Sequence, residues 1–150
     1  MKETLTKREK EALLDQPYPK YATELRNLIY LQLSLNYGLS SEELIQLRWP
    51  QVDFQSGNIF INDGTKDRIM NLSEPLNTLF NEWKQRQFGE WQKRSDKGDL
   101  FNERVFTELD GAPIDKKYVS KMVRMYAESA GIDKKVDSGH LHQSFEKGLA

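Results

Sequence analysis

A chain of 150 residues, in which 22 Lys and Arg nearly balance 23 Asp and Glu, has the length of one domain and no net field that would draw it to polyanions, so any contact with nucleic acid must come from a local basic face. Apolar residues at 37% and charged residues at 30%, with three Trp and seven Phe, exclude a disordered chain and fit a soluble globular one. With no cysteine, two histidines that no carboxylates surround, and no apolar stretch near the roughly 18 residues of a membrane span, the composition predicts one cytoplasmic domain over 1–150 with no metal, no other cofactor and no membrane partner.

Thr6 and Glu9 have capping-box spacing, and Ala12, Leu13 and Leu14 supply the apolar stripe of a first helix running to about Asp15. Gln16-Pro17-Tyr18-Pro19 breaks it. From Tyr21 to Tyr37, Leu25, Leu28, Ile29, Leu31, Leu33 and Leu35 predict a helix apolar on most sides, hence central and buried. Gly38 stands where a helix end needs a left-handed residue, and Ser40 with Glu43 repeats the capping-box spacing before a short helix with Leu44, Ile45 and Leu47 that Pro50 stops.

Val52-Asp53-Phe54, Ile59-Phe60-Ile61 and Ile69-Met70-Asn71-Leu72 read as three antiparallel strands, separated by turn chemistry at Gln55-Ser56-Gly57-Asn58 and Asn62-Asp63-Gly64-Thr65. Ser73-Glu74-Pro75 opens a helix with Leu76, Leu79, Phe80 and Trp83 on one stripe, followed by a polar loop over Lys93-Arg94-Ser95-Asp96-Lys97-Gly98-Asp99. Val105-Phe106 is a brief extended segment and Asp110-Gly111 a turn. Asp115 caps a helix carrying Val119, Met122, Val123 and Tyr126 up to Gly131, and one last short helix follows Asp137. Trp49 and Trp83 are assigned to the core, and the fold class is mainly α with a small three-stranded antiparallel sheet (α+β).

The run Leu33 to Trp49, containing Gly38-Leu39-Ser40, the Glu43-Leu44 pair and Leu47-Arg48-Trp49, resembles the box around the first catalytic Arg of tyrosine recombinases of the phage integrase type. The likeness continues through Val52-Asp53-Phe54, the Asn58 to Ile61 strand and Gly64-Thr65-Lys66-Asp67-Arg68, which is similar to the family's three-stranded sheet with its Lys-bearing turn. Phe106 through Asp110-Gly111-Ala112-Pro113-Ile114 to Ala130-Gly131-Ile132 resembles the connection and helix leading to the second box. It spans Leu5 to about Phe145 and implies the catalytic-type C-terminal domain, without the N-terminal clamp domain or the C-terminal segment that carries the nucleophile.

In that family a Tyr attacks the phosphodiester, two Arg with His or Trp clamp the phosphate, and a Lys serves as acid. The resemblance therefore assigns a role to Lys66, which matches the catalytic Lys, and to Arg68, its basic companion. Ser40 stands at the first Arg. The second box reads Gly139-His140-Leu141-His142-Gln143-Ser144-Phe145, in which either His142 or, in a shifted register, Gln143 stands at the second Arg. The last Tyr is Tyr126, so the nucleophile is expected to be absent.

Lys66 has a plainer reading as a solvated turn residue. Lys116, Lys117, Lys121 and Arg124 have one as the solvent face of an amphipathic helix, and His140 and His142 as polar residues of a loop or helix end. On the resemblance, Lys66, Arg68, Lys116, Lys117, Lys121, His140 and His142 are candidate DNA contacts. The function this implies is a recombinase-like domain of a mobile element or phage that is catalytically inactive and binds duplex DNA, with itself or a related recombinase as a second partner and no small-molecule substrate. Two alternatives stay open: part of a longer DNA-cleaving recombinase, or a protein-interaction module that has lost DNA.

Overall fold

The computed structural model describes residues 4–62, 67–94 and 103–137, with Gly139 and Leu141. Helix α1 (Lys7–Leu14) starts at the box read from sequence: Thr6 Oγ1 accepts from Glu9 N at 3.1 Å, and Glu9 Oε1 accepts from Thr6 N at 2.8 Å. Glu9 also takes the Lys134 ammonium at 2.8 Å, tying the first helix to a segment 125 residues further along the chain; that contact leads the effects holding its carboxyl below the ordinary range.

Helix α2 (Ala22–Tyr37) is the axis of the molecule, with Leu25, Ile29, Tyr30, Leu31, Leu33 and Leu35 buried around it. Gly38 ends it at φ 75°, a left-handed conformation that costs a side chain about 1 kcal/mol. Gly38→Ala is accordingly expected to lower stability by about 1 kcal/mol, measured by urea unfolding, with Gly38→Asn losing less because Asn tolerates that conformation.

The short helix α3 (Ser41–Ile45) leads through a single 3-10 turn, Trp49–Gln51, into the sheet: β1 (Val52–Asp53), β2 (Asn58–Asn62) and β3 (Asp67–Asn71) in the order β1-β2-β3, all antiparallel. The third strand begins two residues earlier than its apolar run suggests, because Asp67 and Arg68 pair with Asn62 and Ile61. Phe54 falls outside β1, since the chain already turns there and Gly57 N donates back to Asp53 O at 2.8 Å. Ile59 and Ile61 point into the core, while Phe60 and Ile69, directly paired, lie on the outer face.

Helix α4 (Glu74–Arg94) packs on α2. It corrects one boundary: Lys93 and Arg94 belong to its last turn and not to a loop, because Glu90 holds Arg94 at 2.9 Å and Lys93 at 3.9 Å on the same helical face. The loop residues after Arg94, and most of the final helix expected after Asp137, lie outside the described residues.

The extended segment at Val105 is a strap fixed from both sides. Val105 N donates to Leu47 O, and Trp83 Nε1 donates to Val105 O at 2.8 Å. The buried Gln87 amide accepts from Trp49 Nε1 at 2.8 Å and donates to Thr107 Oγ1 at 2.9 Å. Both tryptophans are core residues, although Trp49 sits in the 3-10 turn and not on a helical stripe.

Helix α5 (Lys116–Ser129) follows its Asp115 cap, which accepts from Tyr118 N at 2.8 Å, and buries Val119, Met122, Val123, Tyr126 and Ala127. A polar bridge that the apolar reading of α2 missed joins it to α2. Arg26, 1% exposed, donates to Thr107 O at 2.9 Å, to Tyr118 Oη at 2.8 Å and to Asn27 Oδ1, while Asn27 Nδ2 donates to Tyr126 Oη at 3.0 Å.

Candidate nucleic-acid interface

Ser40 is the N-cap of α3. Its Oγ accepts from Glu43 N at 3.2 Å, and Glu43 Oε1 accepts from Ser40 N at 2.9 Å, so the hydroxyl is committed to starting a helix. The second oxygen of the same carboxylate, Glu43 Oε2, takes the Arg68 guanidinium reaching across from β3. One glutamate therefore holds the helix cap and one of the candidate DNA contacts at once, and it is well shielded, its side chain 16% exposed.

Glu42, one residue earlier, takes the ammonium of Lys116, the first residue of α5. Lys116 is the main reason the Glu42 carboxyl lies below the ordinary carboxylate range, with help from the Ser41 hydroxyl. Both side chains are more than half exposed. Arg68 and Lys116 thus each face a carboxylate of α3, which a phosphate would have to displace. These two ion pairs were hidden from sequence reasoning, since Arg68 lies 25 residues from Glu43 and no local spacing relates them.

Along α5 the basic residues are exposed, as a solvent face would be. Lys117, Lys121 and Arg124 fall at i, i+4 and i+7 on the face opposite the buried residues, all exposed. The described salt bridges give none of the three a carboxylate partner. The structure thus brings Ser40, Arg68 and Lys116 together around α3 and sets Lys117 and Lys121 on the adjoining helix, which packs against α3. Lys66, His140, His142 and Gln143 lie outside the described residues.

Three tyrosines near this region are unsuited to nucleophilic attack. Tyr30 is 1% exposed, and burial, aided by the Glu42 carboxylate, pushes its phenol well above the usual range. Tyr126 is buried, which raises its phenol despite the hydrogen bond from Asn27, and the Tyr118 hydroxyl is engaged by Arg26. Among the described residues no group of three or more His, Cys, Asp or Glu could hold a metal ion, and no helix is long and apolar enough to cross a membrane.

The phage integrase family model matches residues 3–149. The tyrosine recombinase XerD of Halalkalibacterium halodurans is 27% identical over 146 residues, covering 97% of this chain and 47% of that protein. XerC of Xanthomonas axonopodis pv. citri is 27% identical over 122 residues, covering 81% of the chain and 37% of its own length. The chain therefore spans less than half the length of these curated relatives.

Among solved structures, the XerA recombinase superposes with a TM-score of 0.78 at 22% identity, over 99% of this chain and 51% of its own. The XerH recombinase bound to its difH substrate, a pre-cleavage complex, superposes with a TM-score of 0.74 at 23% identity, over 97% and 42%. At those identities the likeness establishes the architecture alone.

Proposed function

Because this chain belongs to the phage integrase family, we propose that it is a recombinase-like domain, derived from a mobile element or phage and acting in the cytoplasm, that binds duplex DNA without cutting it. The observation that carries the reading is the use of Ser40 as a helix cap at the position where the family places its first arginine. A hydroxyl cannot present the cationic, two-pronged donor that a guanidinium offers a phosphate.

The exposed stripe Lys117, Lys121 and Arg124 supports DNA contact, together with the likeness to a XerH recombinase solved on its DNA substrate. In this reading Lys66 and Arg68 contribute phosphate contacts from the sheet, Lys116, Lys117 and Lys121 from α5, and His140 and His142 from the second box. Itself or a related recombinase is a further partner.

The test is a gel-shift titration with duplex DNA across a salt series. Retardation at low salt is expected, with log affinity falling linearly in log salt at about 0.9 per displaced phosphate counterion; Lys121→Ala and Lys66→Ala should each flatten that slope by about 1. A chain that leaves the duplex unretarded at low salt is not a DNA-binding domain. The span of less than half of the curated relatives favours a second reading, in which these residues are part of a longer recombinase; Ser40 is the same obstacle to cleavage there.

A further inference from the structure

We infer that Glu42 limits the affinity of this interface: its carboxylate serves as a built-in counterion to Lys116 that a DNA phosphate must displace. The inference rests on the DNA-binding reading above and deepens it. Helix α3 packs against α5, and this places Glu42 against the first residue of the helix whose open face carries Lys117, Lys121 and Arg124. The neighbouring glutamate plays a different part. Glu43, 16% exposed, is bound at one oxygen by the Ser40 cap and at the other by Arg68, so removing it would disturb the fold. Glu42 and Lys116 stand 56% and 59% exposed, a solvated pair that can open without disturbing its surroundings.

The consequence follows from counting ions. A lysine that meets a phosphate from water releases about 0.9 of a condensed cation from the DNA, which gives binding its salt dependence. A lysine that first leaves a carboxylate gains nothing of the kind. The freed Glu42 recruits a cation back from solution, and it then stands as a like charge beside the phosphates. Lys116 therefore adds to the positive surface without adding to either the affinity or the salt slope.

Fluorescence anisotropy on a labelled duplex with the full chain tests this, comparing the unsubstituted protein, Glu42→Gln, Lys116→Gln and the double variant over a salt series, with Glu128→Gln on α5 as the control for a generic loss of negative charge. Glu42→Gln is expected to bind about 3- to 10-fold tighter at low salt and to steepen the salt slope by about 0.9, with a melting temperature close to the unsubstituted chain. In the Lys116→Gln background the gain in slope should vanish and most of the gain in affinity with it, leaving only relief of the Glu42 repulsion, whereas Glu128→Gln should leave the slope unchanged.

If the unsubstituted chain binds DNA and Glu42→Gln changes neither affinity nor slope, the inference is wrong while the DNA-binding reading stands. A gain that survives intact without Lys116 overturns it equally. If neither protein binds at low salt, the DNA-binding reading and this inference fall together.

Discussion

Presented with a nicked suicide duplex, the chain is expected to accumulate no covalent protein–DNA adduct, and a longer form reaching a tyrosine beyond Ala150 is expected to do no better. Exchange at a phosphodiester builds negative charge on the non-bridging oxygens, and the barrier falls only if donors are already aimed at that charge. Losing one such donor costs about 100- to 1,000-fold in rate. In the reading proposed above, Ser40, whose hydroxyl is occupied by Glu43 N, stands at the first arginine position, and His142 or Gln143 at the second.

Installing the guanidinium alone should not restore cleavage. Ser40→Arg removes the cap, at about 1 kcal/mol of stability, and supplies one cation beside Glu43, so tighter DNA binding with undetectable adduct is the expected result. Adduct formation by the unsubstituted sequence, read as a slower-migrating band on a denaturing gel, would contradict the proposed loss of catalysis.

The second large effect concerns stability. Arg26→Leu is expected to destabilise the fold by about 3–5 kcal/mol, because it strands the buried Thr107 carbonyl and Asn27 side-chain oxygen without a donor and takes the donor from the half-buried Tyr118 hydroxyl. For a chain of this size that corresponds to a fall of roughly 10 °C or more in Tm, measurable by circular dichroism or calorimetry. Arg26→Lys keeps the charge but cannot reach three acceptors with one ammonium, so it should lose nearly as much. The Arg26 ring contact, 5.0 Å from the Tyr118 centroid, is lost only in the leucine variant. Buried ions can sometimes be replaced by apolar groups at no cost; a leucine variant melting within about 2 °C of the unsubstituted chain would place this bridge in that class.

The caps, the proline breaks and the glycine stop at Gly38 were legible in the sequence because each depends on residues within four positions of one another. The sheet was legible in number and order but not to the residue: the Asp67–Asn62 and Arg68–Ile61 pairings are fixed by the partner strand and not by apolar content. The α2–α5 bridge was invisible, since Arg26 and Asn27 look like polar interruptions of an apolar stripe, and their partners on α5 stand 92 and 99 residues away. For the same reason the basic residues could be named but not weighed. Arg68 and Lys116 read alike with Lys117 and Lys121 in sequence, and only the fold shows that α3 supplies carboxylates to the first pair.

The bridge also bears on how the molecule assembles. The sheet closes over short turns, and α3 follows α2 directly, so these parts can organise early at little cost in chain entropy. Arg26 meets its acceptors only after loops of 81 and 92 residues have closed, which makes the bridge a late latch. Loosening a latch that engages after the rate-limiting step accelerates escape from the native state and leaves entry almost untouched. In stopped-flow experiments the Arg26→Leu penalty should therefore appear in the unfolding arm of the chevron, so a guanidinium that holds α2 to the helix of the basic stripe also sets how long the folded chain lasts.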